Sequence, residues 1–424
     1  MELDAIVLAD DPLAQVRIAG LTAMERAIRV ARRVGATRVN LVRKPDDRRE
    51  LVAWRDDRTC PLLVIRANQL VHTPLVQPLV AALPSDGIVA AVGDLTGYAG
   101  AFATNGAATK SSLAALANGE SDAAIARDAT PITHGEIACA PIATPAERRA
   151  AHRLLYRILV KPQDNAITRY LYRPVSFPLT RFLVWTPITP NQISYLVAVL
   201  VAIGCWLTAM RSPLAGTIVV LAASYLDCCD GEVARVKLLS SRFGAWIDTI
   251  VDEAASVGYM IALGIYCERT LGPGYFGAPP LDPWKLGIAV GTVTYVWAMY
   301  CIYYNIIVAV GSANSQDYVG RFDVAPGTQP SSVRLVPVEP KAIATTRELP
   351  APIAWLATYL PYAVRRDFLS WAAVGFVALG LEHVMFAGLV AGGVVTAIIV
   401  TIDHARLRSL RRSCARRGLV VEAP

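Results

Sequence analysis

Between residues 190 and 404 the chain returns repeatedly to apolar stretches near twenty residues long, and no other feature restricts its fold as much. A bilayer-spanning helix needs about 20 predominantly apolar residues. Candidate spans fall near 191–210, 214–234, 245–266, 285–310, 368–382 and 384–403, so six crossings are expected. Composition agrees: 54% of the 424 residues are hydrophobic and 18% are charged, against about 25% charged in an average soluble domain. A wholly soluble protein is excluded, because too few polar residues remain to cover several water-exposed globules.

The formal net charge is +7, a surplus that suits either nucleic acid or an anionic membrane surface. Its placement favours the membrane and leaves no role for nucleic acid. Arg406, Arg408, Arg411, Arg412, Arg416 and Arg417 follow the last span with no acid between His404 and Val421, as a cytoplasmic juxtamembrane segment should. An even number of crossings then puts the N-terminal part on the same, cytoplasmic side of the cell's inner membrane. Arg235, Lys237 and Arg242 fall there too, as do Arg321, Arg334, Lys341, Arg347, Arg365 and Arg366 in the 312–367 connection. Little beyond Arg211, Arg269 and Lys285 falls opposite. The acidic opening MELDAIVLADD does not read as a secretory leader. The eight cysteines are scattered without a CxxC pair, so neither a disulfide framework nor a zinc site is expected.

Residues 4–9, 38–43, 61–67 and 87–93 are short β-rich runs separated by stretches of helical periodicity such as 22–34. That alternation predicts a parallel α/β sheet. Ligands of such sheets sit at the carboxyl ends of strands, and the first such loop reads Asp10-Asp11-Pro12-Leu13. A phosphate-cradling loop needs glycines so that backbone amides can approach the anion; two carboxylates and a proline oppose one. The order of elements, including IAGLTAMERAIRVARRVGATRVNLV, resembles the sugar-phosphate nucleotidyltransferase fold over residues 1–140. That family's Gly-rich signature loop is missing, and Asn68 in IRANQLV stands where the resemblance calls for a metal-binding Asp. Residues 1–150 are therefore expected to be an inactive nucleotidyltransferase-like α/β domain, kept for docking or stability. Residues 151–190 follow as a linker and interfacial amphipathic helix. Within them, 164–185 mixes Arg169, Arg173 and Arg181 with aromatic residues and Leu, a composition suited to the headgroup layer.

The second and third spans hold four carboxylates, Asp227, Asp230, Asp248 and Asp252. An ionised group at the centre of a membrane helix costs about 2.5–3.5 kcal/mol on insertion scales, so four call for a compensating partner. Asp227 and Asp230 are spaced i, i+3, and Asp248 and Asp252 i, i+4, which puts each pair on one helix face. A short turn makes the two helices antiparallel neighbours and can gather all four acids at the cytoplasmic end. Without cations such a set would protonate or splay apart. Hard divalent ions, Mg²⁺ or Mn²⁺, suit an all-carboxylate ligand set better than zinc. Gly231, Ala234 and Gly244 leave room either for close helix packing or for a flat nucleotide against the backbone. Arg235, about one turn beyond Asp230, reads as a stop-transfer charge or as a planar fork for a diphosphate.

Together these residues spell DxxDGxxARx(8)GxxxDxxxD, eight fixed positions that chance supplies about once in 10^10 starts at average residue usage. The pattern resembles the CDP-alcohol phosphotransferase family, and the resemblance runs from the interfacial segment through TPNQIS (Thr189–Ser194) to the last helix. It implies a six-helix membrane domain over 191–405, followed by a basic cytoplasmic tail at 406–424. The fold expected for the whole chain is thus an N-terminal α/β nucleotidyltransferase-like domain followed by an all-α polytopic membrane domain of six transmembrane helices. The resemblance further implies that Asp227, Asp230 and Asp248 bind a two-metal centre. Asp252 would complete that centre and serve as general base, while Gly231, Ala234, Arg235 and Gly244 would receive the cytidine diphosphate part of the donor. A CDP-alcohol donor, an acceptor alcohol such as inositol phosphate, release of CMP, and a homodimer in the lipid bilayer follow from the same resemblance. The fusion is similar to bifunctional enzymes that make CDP-inositol and then di-myo-inositol phosphate phosphate, and the membrane part to phosphatidylinositol phosphate synthases.

Two other readings stay open on the residues alone. The N-terminal domain could also make the CDP-alcohol from CTP, or the acids could line an ion path in a non-catalytic transporter or scaffold. Within the long connection, Ala325–Pro340 is rich in Pro and Ser and is expected to be a flexible linker, with a second interfacial stretch at Leu349–Tyr362.

Overall fold

The computed structural model describes residues 2–55, 58–93, 97–160, 166–273, 281–312, 317–329, 331–338 and 366–422. The chain divides into two compact units. The first comprises Met1–Asp164, Phe177–Thr189 and Gly231–Leu239; the second comprises Asn165–Ser176, Pro190–Asp230 and Ser240–Pro424.

The first unit is built on a six-stranded sheet of β1 (Leu3–Leu8), β4 (Ala36–Val42), β5 (Leu62–Arg66), β7 (Gly87–Gly93), β8 (Gly97–Asn105) and β9 (Thr130–Thr133), in the order β4-β1-β5-β8-β7-β9. A small hairpin joins β2 (Arg17–Ile18) to β3 (Leu21–Thr22), and β6 (Gln69–Val71) pairs with β10 (Cys139–Pro141). All four expected strands are present, but the sheet is mixed rather than parallel, because β8 runs antiparallel to both β5 and β7. Only three residues separate β7 from β8, too few for the crossover a parallel neighbour needs. The small residues of β8 (GYAGAFATN) also lack the β-branched signature of a strand.

Six helices pack in this unit: α1 (Ala23–Arg33), α2 (Leu51–Arg55), α3 (Thr73–Ala81), α4 (Ala107–Ala117), α5 (Asp122–Ile125) and α6 (Pro145–Tyr156). β1 is buried throughout, and its side chains alternate between two cores. Leu3, Ala5 and Val7 meet α1 and α3 through Ala27, Val30 and Leu75, while Ile6 and Leu8 share the other face with Phe102 and Leu116. A capping box starts α1, with Thr22 Oγ1 accepting from the Glu25 amide at 3.1 Å and Glu25 Oε2 accepting from the Thr22 amide at 2.9 Å.

The same helix carries two arginines to the end of α9 (Pro213–Val236), whose last residues belong to this unit. Arg26 is fully buried; it donates to the Val236 carbonyl at 3.0 Å and to the Ile18 carbonyl at 3.1 Å. Arg29 donates to the Lys237 carbonyl at 2.7 Å, and Lys237 Nζ donates to the carbonyls of Thr186 and Ile188. The final carbonyls of a helix have no intrahelical donor, and here guanidinium groups supply one. Leu238, at φ 55°, is buried in the core formed around Leu3, Ala5 and Val7. At Gly20 (φ +79°), between β2 and β3, a Cβ would lie 1.8 Å from the Val184 carbonyl oxygen, so only glycine fits.

The helices of the chain continue with α7 (Arg173–Leu183), which follows a π-helical turn at Thr168–Tyr172, and α8 (Pro190–Met210). After α9 come α10 (Arg242–Leu271), α11 (Pro283–Asn305), α12 (Arg366–Ala378) and α13 (Glu382–Arg416). Among the described residues five helices are long and apolar enough to cross a membrane: α8, α9, α10, α11 with its extension to Val310, and α13. The fifth expected span, 368–382, corresponds to α12, whose 13 residues cover about 20 Å, and it is not among these five. Gly380, at φ +71°, follows its end. Small residues let α8 and α9 approach closely: a Cβ on Gly216 would lie 2.5 Å from the Gly204 carbonyl oxygen.

The expected flexible linker is instead largely ordered. β11 (Phe322–Pro326) and β12 (Ser332–Pro337) pair antiparallel, and β13 (Val420–Val421) adds parallel to β12. Both strands end on a proline, where its missing N–H is tolerated, and Phe322 and Val333 are buried. The stretch at 349–362 lies outside the described residues.

Candidate active site

Five residues separate α9 from α10, and Ser241 caps the start of α10, its Oγ accepting from the Gly244 amide at 2.9 Å. One carboxylate oxygen from each of Asp227, Asp230 and Asp248 lies within 4.8 Å of the others. Asp230 is buried, and Ser194 on α8 donates to its Oδ2 at 2.5 Å. Asp252, one turn along α10 from Asp248, is tied to the group by a shared cation. The Arg366 guanidinium pairs with Asp227 Oδ2 at 3.3 Å and with Asp252 Oδ1.

Gly231, Ala234 and Arg235 continue α9 beyond Asp230, within the stretch assigned to the first unit. A Cβ on Gly231 would lie 3.4 Å from Arg235 Nη1, so the guanidinium lies over the glycine. On Gly244, in the first turn of α10, a Cβ would lie 3.0 Å from Asn191 Oδ1 and 3.1 Å from Ser241 Oγ. That position admits a side chain only if its neighbours yield. Cys229 is turned to another side, its Sγ 3.7 Å from the Ser176 carbonyl oxygen. The clustered donors are therefore all carboxylate oxygens, a set that fits a hard divalent cation rather than a thiophilic one.

Three participants were not singled out from the sequence. Ser194 sits in the TPNQIS stretch, where its hydroxyl was the available signal. Arg366 counted only as a cytoplasmic charge, and no local spacing links it to acids more than a hundred residues away. Glu253 follows Asp252 but faces α11, where its carboxylate accepts from the Tyr295 hydroxyl at 2.5 Å and the Tyr303 hydroxyl at 3.0 Å.

Residues 187–379 match the CDP-alcohol phosphatidyltransferase family. The match takes in a little under half of the chain. The matched region contains every acid of the cluster as well as Ser194 and Arg366. Among curated relatives, the bifunctional IPC transferase and DIPP synthase of Aquifex aeolicus is 32% identical over 153 residues, covering 35% of this chain and 33% of the relative. The protein of the same name from Thermococcus kodakarensis is 36% identical over 136 residues, covering 32% and 31%. The CDP-diacylglycerol–inositol 3-phosphatidyltransferase of Drosophila melanogaster is 34% identical over 80 residues, covering 19% and 35%. The chain spans about a third of the length of these relatives.

Proposed function

We propose that the protein is an integral membrane transferase that moves a substituted phosphate group from a CDP-alcohol to an acceptor alcohol and releases CMP. The observation that carries this reading is the three-carboxylate cluster inside the region matched by the family. The names of the relatives favour a donor of the CDP-diacylglycerol or CDP-inositol type and an inositol or inositol phosphate acceptor.

Asp227, Asp230 and Asp248, completed by Asp252, would hold two divalent ions, Mg²⁺ or Mn²⁺. Ions bound there would neutralise the carboxylates and stabilise charge on the diphosphate and on the attacking and leaving oxygens. Asp252 takes the proton of the acceptor hydroxyl as its oxygen bonds to the alcohol-bearing phosphorus, and the bond to the bridging oxygen breaks to free CMP. Arg366 holds Asp252 and Asp227 in register, and Ser194 fixes one oxygen of Asp230. Gly231, Ala234 and Gly244 would receive the cytidine part of the donor, and Arg235 would pair with the diphosphate by its planar fork.

The α/β domain is read as a non-catalytic nucleotidyltransferase-like relic. Asp10 is paired with Arg48 at 2.6 Å, and Asp11 accepts from Asn68 at 3.2 Å and from the Leu13 amide at 2.8 Å. The proposed domain limits are 1–150, 151–190, 191–405 and 406–424. α12 and α13 complete six crossings, the active site and N-terminal domain face the cytoplasm from the inner membrane, and the working unit is a homodimer. Purified protein with Mg²⁺, CDP-diacylglycerol or CDP-inositol, and inositol phosphate should release CMP, and Asp252→Asn should not. Unchanged release in that variant would remove Asp252 as the base. Pyrophosphate release from CTP by the full chain would instead favour the bifunctional reading.

A further inference from the structure

A groove runs along the C-terminal half of α11 and α13, and none of the clustered acids lines it. A cavity of about 460 Å³ there is lined by Trp297, Tyr300, Thr401, His404, Arg408 and Arg412. A second of the same volume continues it past Tyr304 and Arg411 and shares Arg408 and Arg412. Tyr303 of α11 faces Glu253, whereas Trp297 and Tyr300 face α13.

The walls are held in place. Trp297 Nε1 donates to Thr401 Oγ1 at 2.8 Å, and the buried His404 ring packs 4.6 Å from Tyr304 and 5.8 Å from Tyr300. The level is that of a bilayer boundary. α13 has 35 residues, about 52 Å of helix, of which a hydrocarbon core takes only about 20 residues; its apolar run ends near Ile402, and arginines follow. Trp297 and Tyr300 are half-exposed at this junction, as aromatic residues at headgroup depth are. Val293, Val296, Ile398 and Ile402 stay exposed on the same two helices.

Arg408 and Arg412 stand i, i+4 on one face, a spacing at which like charges repel. Among the described residues neither pairs with a carboxylate, whereas Arg406 pairs with Asp403 at 3.2 Å and Arg411 donates to the Tyr304 hydroxyl at 3.3 Å. An anion between the two guanidinium groups would relieve that repulsion, and a tetrahedral phosphate matches their donor forks. Free phosphate would satisfy the arginines but leave the aromatic wall and the apolar flank uncovered. We propose that this groove binds the phosphate of an anionic lipid headgroup, with the acyl chains running along the exposed apolar faces of α11 and α13.

The test uses the full chain in neutral detergent, with lipid retention followed by native mass spectrometry and thermal unfolding. Dioleoylphosphatidylglycerol should be retained and raise Tm by several degrees. Arg408→Gln with Arg412→Gln should weaken that binding roughly tenfold to thirtyfold. Arg416→Gln with Arg417→Gln removes the same charge outside the groove and should leave binding unchanged. Equal losses in the two double variants would reduce the effect to net charge and overturn the proposal. An equal response to dioleoylphosphatidylcholine, or to inorganic phosphate alone, would overturn the anionic-lipid assignment. Should the first double variant fail to fold, Arg412→Gln alone in native mass spectrometry makes the same comparison.

Discussion

Each unit of this protein gathers carboxylates, and the two treat them differently. After β1, Asp10 and Asp11 are satisfied one at a time, by Arg48, Asn68 and the Leu13 amide. On α9 and α10, three carboxylate oxygens are held within 4.8 Å of one another and a fourth acid is joined through Arg366. Acids with individual partners belong to the architecture. Acids turned towards one another raise each other's cost of ionisation, and the arrangement persists usefully when a cation is shared among them. The largest effect that could break this contrast is on turnover. Asp252→Asn should lower CMP release by about 10^3-fold or more, while weakening Mn²⁺ binding, followed by electron paramagnetic resonance, less than a change within the trio does, because Asp252 lies outside the close trio. Asp227→Asn should weaken Mn²⁺ binding itself. If neither variant alters metal binding or turnover, the two sets of acids do not differ in kind.

Much of the second set was legible in the sequence because helical spacing fixes which side chains share a face. The i, i+3 and i, i+4 pairs needed only a short turn to meet, and α9 and α10 provide it. The four strands of the first unit were legible from their β-branched runs for a similarly local reason. β8 was not, because pairing with neighbours on both sides decides its state and its small residues do not announce it. The hairpin β11–β12 was hidden by its prolines, which read as breakers until their positions at the strand ends are known. Arg366 and Arg26 were illegible for a different reason. Each reaches a partner far away in sequence, and nothing in the neighbourhood of a charged residue reveals a distant carbonyl or carboxylate.

Arg26 offers the next largest effect, on the stability of the first unit. Arg26→Met keeps much of the apolar stem but leaves the Val236 and Ile18 carbonyls without their donors. A buried hydrogen bond from a charged group is worth about 1.5–3 kcal/mol, so a loss of about 2–4 kcal/mol in urea unfolding is expected. A change under about 0.5 kcal/mol would deny that charged side chains in this unit serve its architecture. The half-buried His72, whose two ring nitrogens are shielded from water, adds a pH dependence of similar size. Its ring nitrogens have no hydrogen-bond partner among the described residues, and burial, with Arg26 and Arg33 nearby, lowers its pKa from about 6.5 to about 4. Between those values the unfolded chain takes up a proton that the folded unit refuses, so stability falls as pH drops through that window, by on the order of 2–3 kcal/mol in all. Thermal unfolding between pH 7 and 4 should show this slope, and His72→Phe should flatten it.

The smallest expected effect sharpens the contrast most. Asp11 acts through one oxygen as the cap of the turn at Pro12–Gln15 and through the other as acceptor from Asn68. Asparagine caps as well as aspartate, and its amide can keep one of the two contacts, so Asp11→Asn should cost only a few tenths of a kcal/mol. Asp10→Asn loses the charge of a partly exposed pair with Arg48, which is worth about 1 kcal/mol or less. CMP release should stay within about twofold in both variants. Were this loop a working nucleotidyl-transfer site, removing either charge would take away a metal or phosphate contact and cost far more than that. Pyrophosphate release from CTP that appears in the wild-type chain and vanishes in Asp11→Asn would therefore place a second reaction in the first unit and erase the distinction between acids with individual partners and acids held together for a shared cation.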